Sequence, residues 1–384
     1  MSFNETNSIN NIKNKTITND IENIDNLEND HLNESINNKK KDINDNFQEK
    51  EYPSDINIEK IKEPDIKNLI KSTEFRLPSN FIDLSYDNNK DMKNIIQKHF
   101  ISIKKGKRNK GFKKMNEKKS YEEYNNLLNF IELDKKHKLR LEKYNDNCRY
   151  KTVLPYKDNL VKLSNHNFIN ASWIHIPYPY YFIATQGPLP HTIEDFWTMC
   201  YENKVSLIVM LCNLIEKEKE KCANYWKTIN LNNFEILKLN DKRDKKEKDI
   251  IIRTFEVFNK EKKGKLIITQ IHLTSWEDHC VLDVNDFNKI IKIINLIDEY
   301  KGKRNAVVHC SAGIGRTGTF ICMYNIYHEI LQQIYENSDD IIICIMNMVR
   351  KIKEMRMHSV ENPQQYSSLF AFADYLLKNY NVKK

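Results

Sequence analysis

VVHCSAGIGRTGTF, residues 307–320, is the stretch on which the reading of this chain turns. Three of the eight glycines fall within residues 313–318, directly behind a His-Cys pair. The run opens apolar with Ala306, Val307 and Val308, turns at the glycines and continues as TGTFICMYNIYHEIL. That pattern predicts a strand, a tight loop and a buried helix. A helix N-terminus carries unpaired N–H groups and the positive end of the dipole, so the loop feeding it suits an anion.

Cys310 and Arg316 stand with five residues between them and bracket an anion the size of a phosphate. The intervening Ser311, Ala312, Gly313, Ile314 and Gly315 can curl so that their N–H groups point inward. Those groups, the helix dipole and Arg316 favour a thiolate over a thiol at Cys310, and Thr317 is expected to donate a hydrogen bond to the sulfur. The alternative, a structural cysteine in a glycine turn, leaves Arg316 and the three glycines without a purpose.

HCSAGIGRTG resembles the Cys-x5-Arg phosphate loop of protein tyrosine phosphatases, and the tyrosine-specific, non-receptor branch more than the dual-specificity branch. Residues 147–153 (NCRYKTV) are similar to that family's phosphotyrosine recognition loop. Residues 167–174 (NFINASWI) and 183–210 resemble its core strands and helix, and 221–226 (KCANYW) its Glu/Lys loop. The resemblance covers roughly residues 112–380. It implies an α/β fold, a twisted mixed β-sheet flanked by helices, and hydrolysis of phosphotyrosine in proteins through a cysteinyl-phosphate.

Composition divides the 384-residue chain. Residues 1–103 are Asn-rich, and the first 60 lack a sustained apolar stripe, which predicts a mostly disordered region. Short amphipathic patterns at 58–71 and 91–103 leave open whether helices dock there. Residues 104–119 read as a basic linker, with a nuclear address or contact with acidic lipid as the alternatives. The catalytic domain is expected over 112–384. A net charge of +8 suits anionic substrates but is too diffuse for nucleic-acid binding. The eight cysteines show no paired spacing, which favours reduced thiols and the cytoplasm, with the nucleus as an alternative. No apolar run suggests a signal peptide or an integral membrane segment.

The resemblance assigns further roles. TSWEDHCV, residues 274–281, follows the apolar stretch LIITQIHL and occupies the place of a mobile acid loop, with Asp278 as general acid and Trp276 as hinge anchor. Tyr150 is expected to stack on the substrate phenyl ring and set a pocket too deep for phosphoserine. By resemblance Glu216 braces Arg316 and Lys221 approaches the acid loop, whereas the charge run EKEKEK by itself reads as a solvated face. His309 is a supporting residue of the loop, and Gln186 and Pro188 are assigned to packing. In MHSVENPQQY, residues 357–366, the position expected to hold the hydrolytic water carries Glu361, so Gln365 is expected to take over. Arg356 is expected either to meet a second anionic group of the substrate or to lie on the surface.

Several positions depart from the family pattern. Glu277 stands in place of a proline and sets a second carboxylate beside Asp278, which disfavours the ionised acid. Cys280 and Leu282 replace a glycine and a proline, and Thr152 replaces an aspartate that grips the peptide. His358 stands where some members have glycine and narrows the approach to a neighbouring pocket. The expected partners are tyrosine-phosphorylated proteins, with no cofactor or metal. A phosphotyrosine-binding pseudophosphatase and a phosphoinositide phosphatase remain the alternatives.

Overall fold

The computed structural model describes residues 94, 97–104, 117–133, 143–175, 182–227, 229–277, 282, 284–302, 304–336, 338 and 340–380. All lie in one compact unit, Lys62–Lys384. The Asn-rich region up to residue 93, the amphipathic pattern at 58–71, Asp278 and Cys280 lie outside the described residues.

The frame is a mixed eight-stranded sheet in the order β2-β3-β11-β4-β10-β9-β8-β7. Its strands are β2 (Ala171–Ile174), β3 (Phe182–Thr185), β4 (Val205–Met210), β7 (Ile229–Asn230), β8 (Phe234–Arg243), β9 (Ile250–Asn259), β10 (Gly264–Leu273) and β11 (Asn305–His309). The central four, β3, β11, β4 and β10, run parallel, with antiparallel β2 on one side and β9, β8 and β7 on the other. Strands covered on both faces must be apolar throughout, and Ala306, Val307 and Val308 of β11 are fully buried. Along β10, exposure alternates from Gly264 to Ile267 and then stops. The change falls where the strand gains β4 as a second partner, from Thr269 to His272.

Helices cover the sheet: α1 (Glu117–Leu133), α2 (Ile193–Glu202), α3 (Val284–Lys301), α4 (Gly315–Tyr335), α5 (Ile345–Met355) and α6 (Pro363–Tyr380). Every residue of α4 from Gly315 to Leu331 is buried, so this helix is enclosed on all sides and forms the spine of the core. It starts directly behind the glycine loop that follows β11.

Two findings bear on the N-terminal expectations. Residues 101–104 form strand β1 (Ile101–Lys104), antiparallel to β12 (Asp340–Ile343), so the amphipathic pattern at 91–103 ends in a strand rather than a docked helix. The end of the basic block, residues 117–119, opens α1. Folded structure therefore reaches N-terminal to residue 112. Among the described residues no helix is long and apolar enough to cross a membrane.

Candidate active site

The carboxyl ends of the four parallel strands converge where open α/β sheets bind ligands. β3 delivers Gln186, β4 leads to Glu216, β10 leads to Trp276 and β11 delivers Cys310. The N–H of Gly313 reaches the Cys310 sulfur at 3.3 Å. Gly313 has φ +71, and a Cβ there would lie 2.1 Å from the Thr185 carbonyl, so only glycine fits this turn. The Ser311 hydroxyl donates to the Lys221 carbonyl at 2.9 Å. Its one proton is thereby used, so the Tyr150 hydroxyl donates to Ser311 Oγ, also at 2.9 Å. Thr317 does not meet its expectation: its Oγ1 is buried without a hydrogen-bond partner among the described residues. The sulfur takes its hydrogen bond from the Gly313 backbone instead.

Arg316 opens α4 with its side chain 2% exposed. Its guanidinium grips Glu216 with both ends, at 2.7 and 3.0 Å, and Nη1 also donates to the Trp276 carbonyl at 2.7 Å. Burial works against this cation, but the Glu216 carboxylate outweighs it and holds the group charged. Glu216 comes from a hairpin, β5 (Ile215–Glu216) and β6 (Lys219–Glu220). Its turn residues Lys217 and Glu218 both have positive φ, the backbone of a tight primed turn. Lys221, just after it, is buried and donates its N–H to the Leu214 carbonyl at 2.7 Å. Trp276 is buried, as an anchor requires, while Glu277 is exposed.

Behind the loop lies a buried chain of hydrogen bonds that ends on a cation, Arg253. His309 is fully buried, and burial pushes its imidazole down to about 3. We therefore assign a neutral ring whose Nδ1–H donates to the Cys310 carbonyl at 3.1 Å and whose Nε2 accepts from the Tyr225 hydroxyl at 2.7 Å. That hydroxyl accepts from Gln270 at 2.7 Å, and Gln270 accepts from Arg253 at 2.7 Å. Arg253 also donates to His272 Nδ1 at 3.2 Å, which leaves His272 Nε2–H for the Cys212 carbonyl at 2.8 Å.

The recognition segment is tied down by Arg149 and Gln186. Arg149 donates to the carbonyls of Gly187 at 3.0 Å, Pro188 at 2.7 Å and Glu220 at 3.3 Å. Gln186 accepts the Arg149 N–H at 2.8 Å and donates to the Asn147 carbonyl at 2.7 Å. Tyr150 is half-buried beside Ser311, and Thr152 is exposed.

Arg356 overturns its expectation. It is 1% exposed, so it does not lie on the surface, and its hydrogen bonds are made within the fold. Its guanidinium donates to the carbonyls of Gly313 at 2.6 Å and Ala312 at 3.1 Å, to Ser172 Oγ at 3.0 Å and to Asn170 Oδ1 at 3.1 Å. It braces the glycine loop from behind. Downstream, the Glu361 N–H donates to Gln365 Oε1 at 2.9 Å. A Cβ on Gly315 would lie 2.7 Å from Glu361 Oε2 and 3.0 Å from Gln365 Nε2, so both side chains occupy the space that Gly315 leaves empty. His358 has φ +58, which accounts for the glycine that the pattern prefers there.

Reasoning from the sequence missed the His309–Tyr225–Gln270–Arg253 chain. The only hint was four polar residues within otherwise apolar segments. It also missed Lys353, whose position on the apolar stripe Ile345, Val349, Ile352 was a legible signal.

Fold and site together define an α/β domain with a cysteine beneath an anion cradle at the end of a central parallel strand. Residues 144–374 match the protein-tyrosine phosphatase family, and the chain belongs to that family. It is 35% identical over 260 residues to receptor-type tyrosine-protein phosphatase eta of Gallus gallus, covering 62% of this chain and 17% of that protein. It is 32% identical over 243 residues to tyrosine-protein phosphatase non-receptor type 20 of Rattus norvegicus, covering 61% of this chain and 55% of that one. The chain thus spans less than two thirds of either relative's length. Among solved structures, the catalytic domain of human protein tyrosine phosphatase non-receptor type 18 superposes with TM-score 0.58 at 26% identity, covering 66% of this chain and 95% of that one. That relative has also been solved in complex with HER2-pY1196 phosphopeptides.

Proposed function

We propose that this chain hydrolyses phosphotyrosine in proteins. The observation that carries the reading is the Cys310 sulfur under the start of α4, within 3.3 Å of the Gly313 N–H and beside an Arg316 fork held by Glu216. In the first step the Cys310 sulfur forms a bond to phosphorus while the bond from phosphorus to the tyrosine oxygen breaks. Arg316 and the N–H groups of residues 311–315 hold the equatorial oxygens, and Asp278 gives its proton to the departing phenolate. In the second step water forms the new P–O bond, the S–P bond breaks and the water proton passes to Asp278. Gln365, with Glu361 beside it, positions that water. Tyr150 faces the substrate ring, and a complex of a relative with phosphotyrosine peptides supports phosphorylated proteins as substrates. The seven described cysteines are all free, which supports a reducing compartment such as the cytoplasm.

Steady-state hydrolysis of a phosphotyrosine peptide between pH 5 and 8 tests the reading. The parent should turn over, Cys310→Ser should abolish turnover, and Asp278→Ala should lower kcat by roughly 10²- to 10⁴-fold. Phosphopeptide binding without turnover in the parent would instead identify a binding module. Release of phosphate from inositol phospholipids but not from the peptide would move the substrate to lipid.

A further inference from the structure

Helix α1 lies outside the 144–374 stretch that matches the family, yet it reaches the turn that carries Glu361 and leads into Gln365. Tyr124 is 4% exposed, and its hydroxyl donates to the Val360 carbonyl at 2.8 Å. Lys353 of α5, 3% exposed, donates to the same carbonyl at 3.0 Å and to the Tyr124 hydroxyl at 3.2 Å, with its ammonium 4.9 Å from the Tyr124 ring centroid. The three groups close a buried triangle.

Its apex is strained. Val360 has φ +56, a left-handed backbone that a β-branched residue avoids. Such a conformation costs on the order of 1–3 kcal/mol and persists only where its surroundings over-determine it. Here they do so from both sides. The Val360 carbonyl holds Tyr124 and Lys353, while its N–H donates to the Ile314 carbonyl of the cradle at 3.2 Å. Gly318 closes the contact, since a Cβ there would fall 2.7 Å from the Val360 nitrogen. The next residue is Glu361, whose carboxylate lies near enough to act on both buried groups.

We propose that Tyr124 and Lys353 are positioning residues for the second chemical step: by clamping the Val360 carbonyl they hold the left-handed turn that sets Glu361 and Gln365 over Gly315, where the hydrolytic water must sit. The inference rests on the phosphatase reading above. Neither residue touches the substrate, and the water that Glu361 and Gln365 position takes no part in forming the cysteinyl-phosphate. Loss of the clamp therefore slows hydrolysis of the intermediate and spares its formation.

Tyr124→Phe keeps the ring and removes the donor, and Lys353→Met keeps the stem and removes the ammonium. Loss of one such hydrogen bond should lower kcat roughly three- to tenfold. kcat/KM should stay within about twofold, because it reports the first step alone. Rapid mixing should show a burst of released phenol larger than the parent's, with cysteinyl-phosphate accumulating as an 80 Da adduct. Equal falls in kcat and kcat/KM without a larger burst would show a merely structural role and overturn the proposal, as would unchanged kinetics in both variants. A parent that turns over nothing would overturn the phosphatase reading and this inference with it, whereas a parent that turns over beside unaffected variants would overturn this inference alone.

Discussion

The glycine loop is held from two sides by two buried arginines that work in opposite ways. In front, Arg316 has a carboxylate, Glu216, and stays firmly charged despite burial. Behind, Arg356 meets only neutral acceptors, two carbonyls, a hydroxyl and an amide, and burial pulls it down to about 10. A cation already balanced by a carboxylate can present its remaining donors to a second anion at little further desolvation cost. One that has spent four of its five donors on dipoles has little left to offer an anion, and serves to hold the backbone. The same side chain type is a ligand clamp on one face and a brace on the other, and the partners decide which.

That contrast can be broken by substitution. Arg316→Lys keeps the charge but loses the fork, and should lower kcat/KM by about 10³-fold, or roughly 4 kcal/mol of transition-state binding. Its Tm should move little, because Glu216 keeps a cation beside it. Arg356→Met strands the Gly313 and Ala312 carbonyls with Ser172 and Asn170. It should destabilise the fold by about 3 kcal/mol, roughly 6–12 °C in Tm, while kcat/KM of the folded fraction falls less than about tenfold. Thermal melts and peptide kinetics on both variants check the pair, and an exchange of the two outcomes would refute the division between clamp and brace.

The front face was far more legible in the sequence than the back. Cys310, the glycines and Arg316 are neighbours along the chain, so strand, turn and helix start could be read from one continuous run, residues 306–320. Arg356 and its acceptors come from separate segments, at residues 170–172, 312–313 and 356, and no local pattern reports such a meeting. The Glu216 hairpin was half visible. Its alternating charges read as a solvated face, while the turn at Lys217 and Glu218 adopts positive φ without the Asn-Gly signal such turns usually carry. Thr317 misled because a hydroxyl seven residues from Cys310 in sequence need not point at its sulfur once the helix has begun.

A finer test of the back face uses its histidines. Burial holds His272 down to about 4. The unfolded chain, with an ordinary value near 6.5, binds the proton first as pH falls, so His272 contributes stability that is lost below about pH 6.5. His272→Gln can still accept from Arg253 and donate to the Cys212 carbonyl. It should therefore fold, and should reduce the loss of unfolding free energy between pH 7 and 5 by about 2 kcal/mol. Denaturant titrations at the two pH values check this, and an undiminished acid loss would remove His272 from the account.

The smallest gain lies further along the helix that Arg316 begins. Glu329 is buried on α4, and neither of its oxygens has a hydrogen-bond partner among the described residues. Burial raises its carboxyl to about 8. Where Arg316 keeps its charge because a partner was supplied, Glu329 must give its charge up. The folded chain holds this proton and the unfolded chain releases it above about 4.5, so folding stability is fully present below that value and is lost as pH rises towards 8. Glu329→Gln removes the titration at nearly constant shape, but its amide brings its own unmet donors and gives back part of the gain. The amide's cost does not titrate, so the net expectation is about 1 kcal/mol of added stability at pH 8 and a loss of roughly 3 kcal/mol at pH 4.5. The difference between the unfolding midpoints of parent and variant should therefore shift in the variant's favour as pH rises; a constant offset would mean that the carboxyl has a partner and stays ionised, and that α4 carries two paired charges rather than one.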